Sequence, residues 1–283
     1  MCAPGIPGRV RVQGQRGHPS SVERRSRSAN HSVRAGFTLL ELLIVIGIIG
    51  LLLVLIAPAF TSLKSGSDVT NSAYTIKGVL ETARTYAKAN NTYTWVGFYE
   101  EDASQSSMNP AAEGVGRIVM SIVASKDGTR IYDPNNLAQQ DLTTGVIQVG
   151  KLTKIDNVHL WTHTDTPSGT GSTFNTRPNV ATTYCIGDSS PSNSTTTFQY
   201  PVGSPRPSAQ YPFVKAIEFS PRGDIRINNG TLSGNGTEIF PRQAAAEIAF
   251  EPTHGAAVPA STPANVAAIQ FTGFGGSVSI YRR

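Results

Sequence analysis

Two cysteines in 283 residues, Cys2 and Cys185, exclude a disulfide scaffold, and no C-x-x-C pair is present for metal or redox chemistry. There is no G-x-S-x-G elbow, P-loop or G-x-G-x-x-G fingerprint, so no nucleophile or phosphate-binding loop announces an enzyme. A basic folded surface is lacking as well. The formal net charge of +5 originates in the first 36 residues, where Arg9, Arg11, Arg16, Arg24, Arg25, Arg27 and Arg34 face a single acid, Glu23. That segment has almost no large apolar side chain and reads as disordered. Without it the chain is close to neutral and its lysines and arginines are scattered, which argues against nucleic-acid binding. No catalytic residue and no cofactor is expected.

What the chain does have is one long apolar run. Leu42 to Ala57 contains no charged or strongly polar residue, and apolar character extends outward to Phe37 and Phe60. As a helix at about 1.5 Å per residue, 37–60 would span roughly 36 Å, enough for a hydrocarbon core of about 30 Å. The arginines precede it, so the positive-inside rule keeps the N-terminus cytoplasmic and sends the body across the membrane. An ordinary secretory signal shares part of this layout, with Ala57-Pro58-Ala59 as its small-residue site and a mature protein beginning near Phe60. Pro58 inside the tripeptide, the length of the run and Glu41 at its start speak against that reading. A carboxylate in a membrane helix is costly, so Glu41 calls for a partner.

Gly36-Phe37-Thr38-Leu39-Leu40-Glu41, followed by the apolar run and Pro58, resembles the class III signal of type IV prepilins and type II secretion pseudopilins. The resemblance implies a cut between Gly36 and Phe37 by a membrane-embedded prepilin peptidase, which also methylates the new amine of Phe37. It implies that Glu41 pairs with the N-terminal amine of a neighbouring subunit and that Pro58 kinks the helix. The implied partners are the prepilin peptidase/methyltransferase, other pilin or pseudopilin subunits, an inner-membrane assembly platform and membrane lipid. The implied location is the bacterial inner membrane, crossed once with a cytoplasmic N-terminus, and a filament after assembly. The leader, 1–36, is long for this family.

Beyond Pro58 the pattern predicts a second helical half over 61–91. Val69, Ala73, Ile76, Leu80, Ala83 and Ala87 recur at spacings of three and four and so share one face, with Lys77, Glu81, Arg84 and Lys88 elsewhere. Pro58 and Gly66 mark bends, and Asn90-Asn91 a stop. From 92 to 283 the chain turns to β character. Strands are expected at Tyr93–Tyr99, Arg117–Ser125, Val146–Leu152, Val158–Thr162, Thr195–Tyr200, Val214–Ser220, Asp224–Ile227, Val266–Thr272 and Ser277–Tyr281. The expected fold is therefore α+β, a long N-terminal α-helix packed against a C-terminal antiparallel β-sheet head. The helix is transmembrane in its first half and amphipathic in its second. The Ser/Thr/Pro/Gly-rich stretch at about 164–212 reads as a mobile insertion.

Two closing segments, 214–228 and 267–283, each place an apolar strand, a glycine turn and a returning strand in sequence. They resemble the glycine-turn hairpins of H-type minor pseudopilins and fimbrial T-type minor pilins, which shifts the choice towards a minor subunit. His159 and His163 flank Trp161 in an expected strand and lack a third ligand nearby, so they read as structural rather than metal-binding. Asp127-Gly128 and Asp133-Pro134 read as turns without the ligand spacing of a calcium loop. No metal site is expected.

Overall fold

The computed structural model describes residues 37–107, 111–132, 144–188, 193–203, 208, 210–227, 245–273 and 275–283; for 55–65 and 193–196 it describes the backbone alone. The basic leader lies outside the described residues. The chain divides after Leu51 into two compact units, the second holding the rest of the first helix and the β-rich head.

Helix α1 spans Leu39–Ala89 and continues as helix through Pro58 and Gly66. Its end is set by the two asparagines, as the sequence predicts. Asn91 takes the left-handed conformation (φ 49°), and the Thr92 amide turns back to the Ala87 carbonyl at 3.0 Å, a Schellman-type closure. The six apolar residues placed on one face by their spacing, Val69, Ala73, Ile76, Leu80, Ala83 and Ala87, are all buried.

The head contains two sheets. Sheet A has the order β3-β2-β1-β8-β7, from β1 (Thr94–Asp102), β2 (Gly116–Ser125), β3 (Val146–Gln148), β7 (Asn193–Tyr200) and β8 (Tyr211–Phe219). Off this path, β4 (Thr153–Asp156) pairs with β2, and β9 (Ile225–Ile227) with β8. Sheet B has the order β12-β11-β10-β5, from β5 (Val158–Leu160), β10 (Ala246–Pro252), β11 (Ala267–Phe271) and β12 (Val278–Arg282). Every pairing among these is antiparallel except that of β6 (Cys185–Ile186), which lies parallel on β10. The observed architecture is thus a helix with a large antiparallel β domain. The chain passes from sheet A to sheet B at Asn157, a residue with positive φ (63°) between β4 and β5.

One core unites these parts. Alternate residues of β1 and β2 (Val96, Phe98, Ile118, Met120) and of β10 and β11 (Ile248, Phe250, Ile269, Phe271) join the buried face of α1 in a single cluster. The opposite face of sheet A is covered by a second, aromatic cluster that includes Trp95, Tyr132, Phe198, Tyr211 and Phe213. Gly97 makes room for it: a Cβ there would come within 2.4 Å of the Phe198 ring and 2.6 Å of Phe213. A third, smaller cluster sets Phe174 and Trp161 against Ala249 and Ala268 of sheet B.

Several expectations need correction. The strand expected at Val146–Leu152 ends at Gln148 as β3, and after Gly150, at positive φ (74°), the chain forms a separate strand, β4, that was not expected. The strand expected at Val158–Thr162 ends at Leu160, beyond which the Thr162 amide bonds the Asp188 carboxylate (2.8 Å) instead of a strand. Strands β6 and β10 were not expected at all. The 164–212 stretch, expected as a mobile insertion, holds two 3-10 turns (Phe174–Thr176 and Thr182–Tyr184) as well as β6 and β7, with Phe174 and Arg177 buried. The described residues of this stretch thus contribute strands and buried side chains to the head.

The shared face of α1 makes a direct prediction. Leu80→Ala should lower stability by about 2–5 kcal/mol in chemical denaturation of the detergent-solubilised chain, because it opens a cavity in the joint core. Tyr74→Ala, at an exposed position on the same helix, should stay within about 0.5 kcal/mol.

Candidate functional site

The sequence places its candidate residues at the start of α1, and there the local chemistry is simple. Thr38 stands immediately before the first helical residue, and Glu41 lies in the first turn. The Glu41 carboxylate accepts from the Thr38 amide (2.9 Å) and hydroxyl (3.0 Å), while the Thr38 hydroxyl accepts from the Glu41 amide (3.2 Å). This is a reciprocal capping box, which satisfies amides that the first helical turn otherwise leaves unpaired. Its signature, Thr-x-x-Glu, is legible in the sequence, and it makes Thr38 the residue that holds the Glu41 carboxylate.

Phe37, one residue earlier, is 84% exposed. From Leu39 to Val54 every large apolar side chain is between 47% and 82% exposed, so nothing described in the chain covers this surface. Fully burying such a side chain is worth about 1.5–3 kcal/mol, and a run of them in water is untenable without lipid or another helix around it. Among the described residues no helix is long and apolar enough to cross a membrane; the described side chains of this run end at Val54. Gly36 lies outside the described residues, as does the side chain of Pro58, through which the helix continues.

At the other end of α1 the two glycine-turn hairpins meet. Both form as the sequence predicts: β8 pairs with β9 and β11 with β12. The Ile225 amide donates to the Gly273 carbonyl (3.2 Å), tying the turn of sheet A to that of sheet B. Arg84 of α1 donates to the Gly275 carbonyl. Gly223 and Gly276 have positive φ (82° and 64°), and a Cβ on Gly276 would sit 2.6 Å from the Gly223 carbonyl oxygen and 2.7 Å from Nε of Arg84. Only glycine fits both the conformation and the contact.

His159 and His163 are buried and serve different neighbours. Nδ1 of His159 lies 2.7 Å from Oε1 of Glu100. His163 packs edge-on between Trp161 (4.0 Å) and Phe174 (4.8 Å), and burial, assisted by the Arg177 charge, pushes it down to about 4, so it is neutral at physiological pH. Among the described residues no group of three or more His, Cys, Asp or Glu is placed to hold a metal.

A buried ionic network escaped the sequence reading. Arg177 reaches Asp165 with Nη1 (2.7 Å) and Nη2 (2.8 Å), Glu247 of β10 with Nε (2.8 Å) and Nη2 (3.1 Å), and the Phe174 carbonyl (2.8 Å), with its guanidinium 4.0 Å from the Phe174 ring centroid. Gln270 completes it by donating to Glu247 (2.7 Å). These bonds more than offset the burial of the guanidinium and hold Arg177 above its ordinary value. Cys185, nearby, has its thiol pushed up to about 12 by burial and by the Glu247 charge, which leaves it an inert core thiol.

Residues 31–57 match the model of the prokaryotic N-terminal methylation motif. The match includes Gly36, Phe37 and Glu41 and ends one residue before Pro58. The chain therefore carries a class III signal, as in type IV prepilin-like and pseudopilin proteins. No curated protein and no solved structure matches the chain.

Arg177→Ala should cost about 3–5 kcal/mol, since it strands Glu247 as a buried charge. Denaturant titration of the purified chain measures it. The double variant with Glu247→Ala should recover a substantial part of the loss, because no lone charge then remains.

Proposed function

We propose that the chain is a type IV pilin-like structural subunit, a minor pilin or pseudopilin, of an envelope-spanning filament or type II secretion pseudopilus. The observation that carries this reading is the methylation motif at 31–57, followed by helix α1, whose apolar side chains from Leu39 to Val54 have no cover among the described residues. A signal of this class implies processing by prepilin peptidase and assembly with other pilin subunits. The two glycine-turn hairpins support the choice of a minor subunit.

In this reading the precursor enters the inner membrane through 37–60 with its N-terminus in the cytoplasm. Cleavage after Gly36 removes the basic leader, and methylation converts the amine of Phe37. The helices of neighbouring subunits then cover one another's apolar surface, and the head stays on the far side. Glu41 supplies the negative charge that receives a neighbour's amine. The capping box presents that carboxylate at the helix start, with its oxygens already oriented by Thr38. The head is structural rather than catalytic, its ionisable clusters serving as internal bridges.

Two measurements test this. The N-terminal peptide of protein extracted from membranes should begin at N-methylated Phe37; a peptide beginning near Phe60 would sink the filament reading and leave a secreted β-domain protein. Glu41→Ala should reduce incorporation into sheared filaments at least tenfold while membrane levels stay near wild type. Equal incorporation by the variant would instead favour a membrane-anchored binding protein that does not polymerise.

A further inference from the structure

His159 and Glu100 belong to different sheets. His159 stands on β5 of sheet B, Glu100 on β1 of sheet A, and their 2.7 Å contact joins the two. Together with Glu113, Asp188 and Lys215 they line a cavity of about 210 Å³. The charged groups around the imidazole come from every element packed there. Glu100 is supplied by β1, and Glu251 by β10, where it is the register partner of His159 and only 3% exposed. Asp188 follows β6, Lys215 of β8 donates to the Gly187 carbonyl, and Glu113 precedes β2. The cluster lies beside the corner at Asn157, where the chain itself crosses from sheet to sheet.

Burial works against a charged His159, but the hydrogen bond and charge of Glu100, helped by Asp188 and Glu251, outweigh it and hold His159 above its ordinary value. Burial pushes the Glu251 carboxyl up, opposed by His159 and reinforced by Asp188 and Glu100. Burial also holds the Lys215 ammonium below its ordinary value, against the pull of Glu100, Asp188 and Glu113.

We propose that this cluster is a proton-operated fastener on the seam between the two sheets. Protonated His159 draws Glu100 of one sheet towards Glu251 of the other; loss of the proton leaves carboxylates around a neutral ring and loosens the seam. The device is independent of whether the chain enters a filament. Its pH window follows from linkage. A histidine raised above an unfolded value of about 6.5 contributes fully below that pH and loses its contribution as pH rises through the folded value. Glu251, also raised, acts with the same sign from the ordinary carboxylate range upward. His163 acts with the opposite sign; its contribution levels off about one pH unit above its unfolded value of about 6.5 and is common to all the variants below. Lys215, lowered in the fold, adds stability as pH rises towards its ordinary range; His159→Gln and Glu251→Gln leave its neighbours Glu100, Asp188 and Glu113 intact, whereas Glu100→Gln removes one of them.

The test is the thermal midpoint of the full chain in detergent, followed by Trp95 and Trp161 fluorescence from pH 6.5 to 8.5. Hydrogen exchange of β5 peptides, corrected for the intrinsic rate, gives the local readout. Wild type should lose roughly 2–4 °C across the window, with β5 protection falling ahead of β2. His159→Gln and Glu100→Gln should both start lower at pH 6.5 and show no fall. Glu251→Gln, which keeps the 2.7 Å pair, should still show the fall, moved to lower pH. A flat wild type, or the same fall in His159→Gln, overturns the proposal. If His159→Gln does not fold, the other two variants decide: falls unchanged in both overturn it.

Discussion

The burial of one face of α1 is the constraint on which the head depends. Val69, Ala73, Ile76, Leu80, Ala83 and Ala87 share their core with strands of both sheets, so neither sheet has a complete hydrophobic interior without the helix. The alanines of this face, Ala73, Ala83 and Ala87, leave room for β strands to approach, while Ile76 and Leu80 fill the core between them. The links from helix to head at its C-terminal end reinforce that burial. Arg84 bonds the turn of sheet B, and the Thr94 hydroxyl donates to the Ala83 carbonyl (3.1 Å) at the start of β1.

The parts of the fold that were legible in the sequence are those governed by local spacing. The helix face followed from apolar residues three and four apart, the helix stop from Asn90-Asn91, and both hairpins from a glycine turn between apolar strands. Strand β10 was not legible. Ala246 to Pro252 alternates alanine and glutamate with two large apolar residues, a pattern that local propensity assigns to a helix as readily as to a strand. It is nonetheless the central strand of sheet B, and all seven of its residues are buried. Its glutamates are tolerated because Arg177 meets Glu247 and His159 lies beside Glu251. Both partners are remote in sequence, so no window on the chain could reveal the match. The 164–212 stretch was misjudged for the same reason: its polar composition concealed Phe174 and Arg177, two residues that together pin it to sheet B.

The start of α1 shows the same division. The methylation motif was legible because glycine, phenylalanine, threonine and glutamate stand in a fixed short order, and they fall within the matched residues 31–57. The reciprocal bonds between Thr38 and Glu41 are equally local. They bear on how the carboxylate is presented: a side chain already held by its own helix cap loses less conformational freedom on meeting a partner than a free one. The Glu100–His159–Glu251 cluster, by contrast, is assembled by strand register and sheet packing, and no sequence pattern marks it.

The junction between α1 and β1 has a mechanical consequence. Only the Schellman turn and a few residues separate the helix from β1, and β1 is the middle strand of sheet A, paired with β2 from Thr94 to Asp102 and with β8 from Thr94 to Phe98. Tension carried into the head by the helix therefore arrives at an interior strand, which ladders of hydrogen bonds hold on both sides. An edge strand would offer one such ladder. Here two must give way before the strand can leave the sheet.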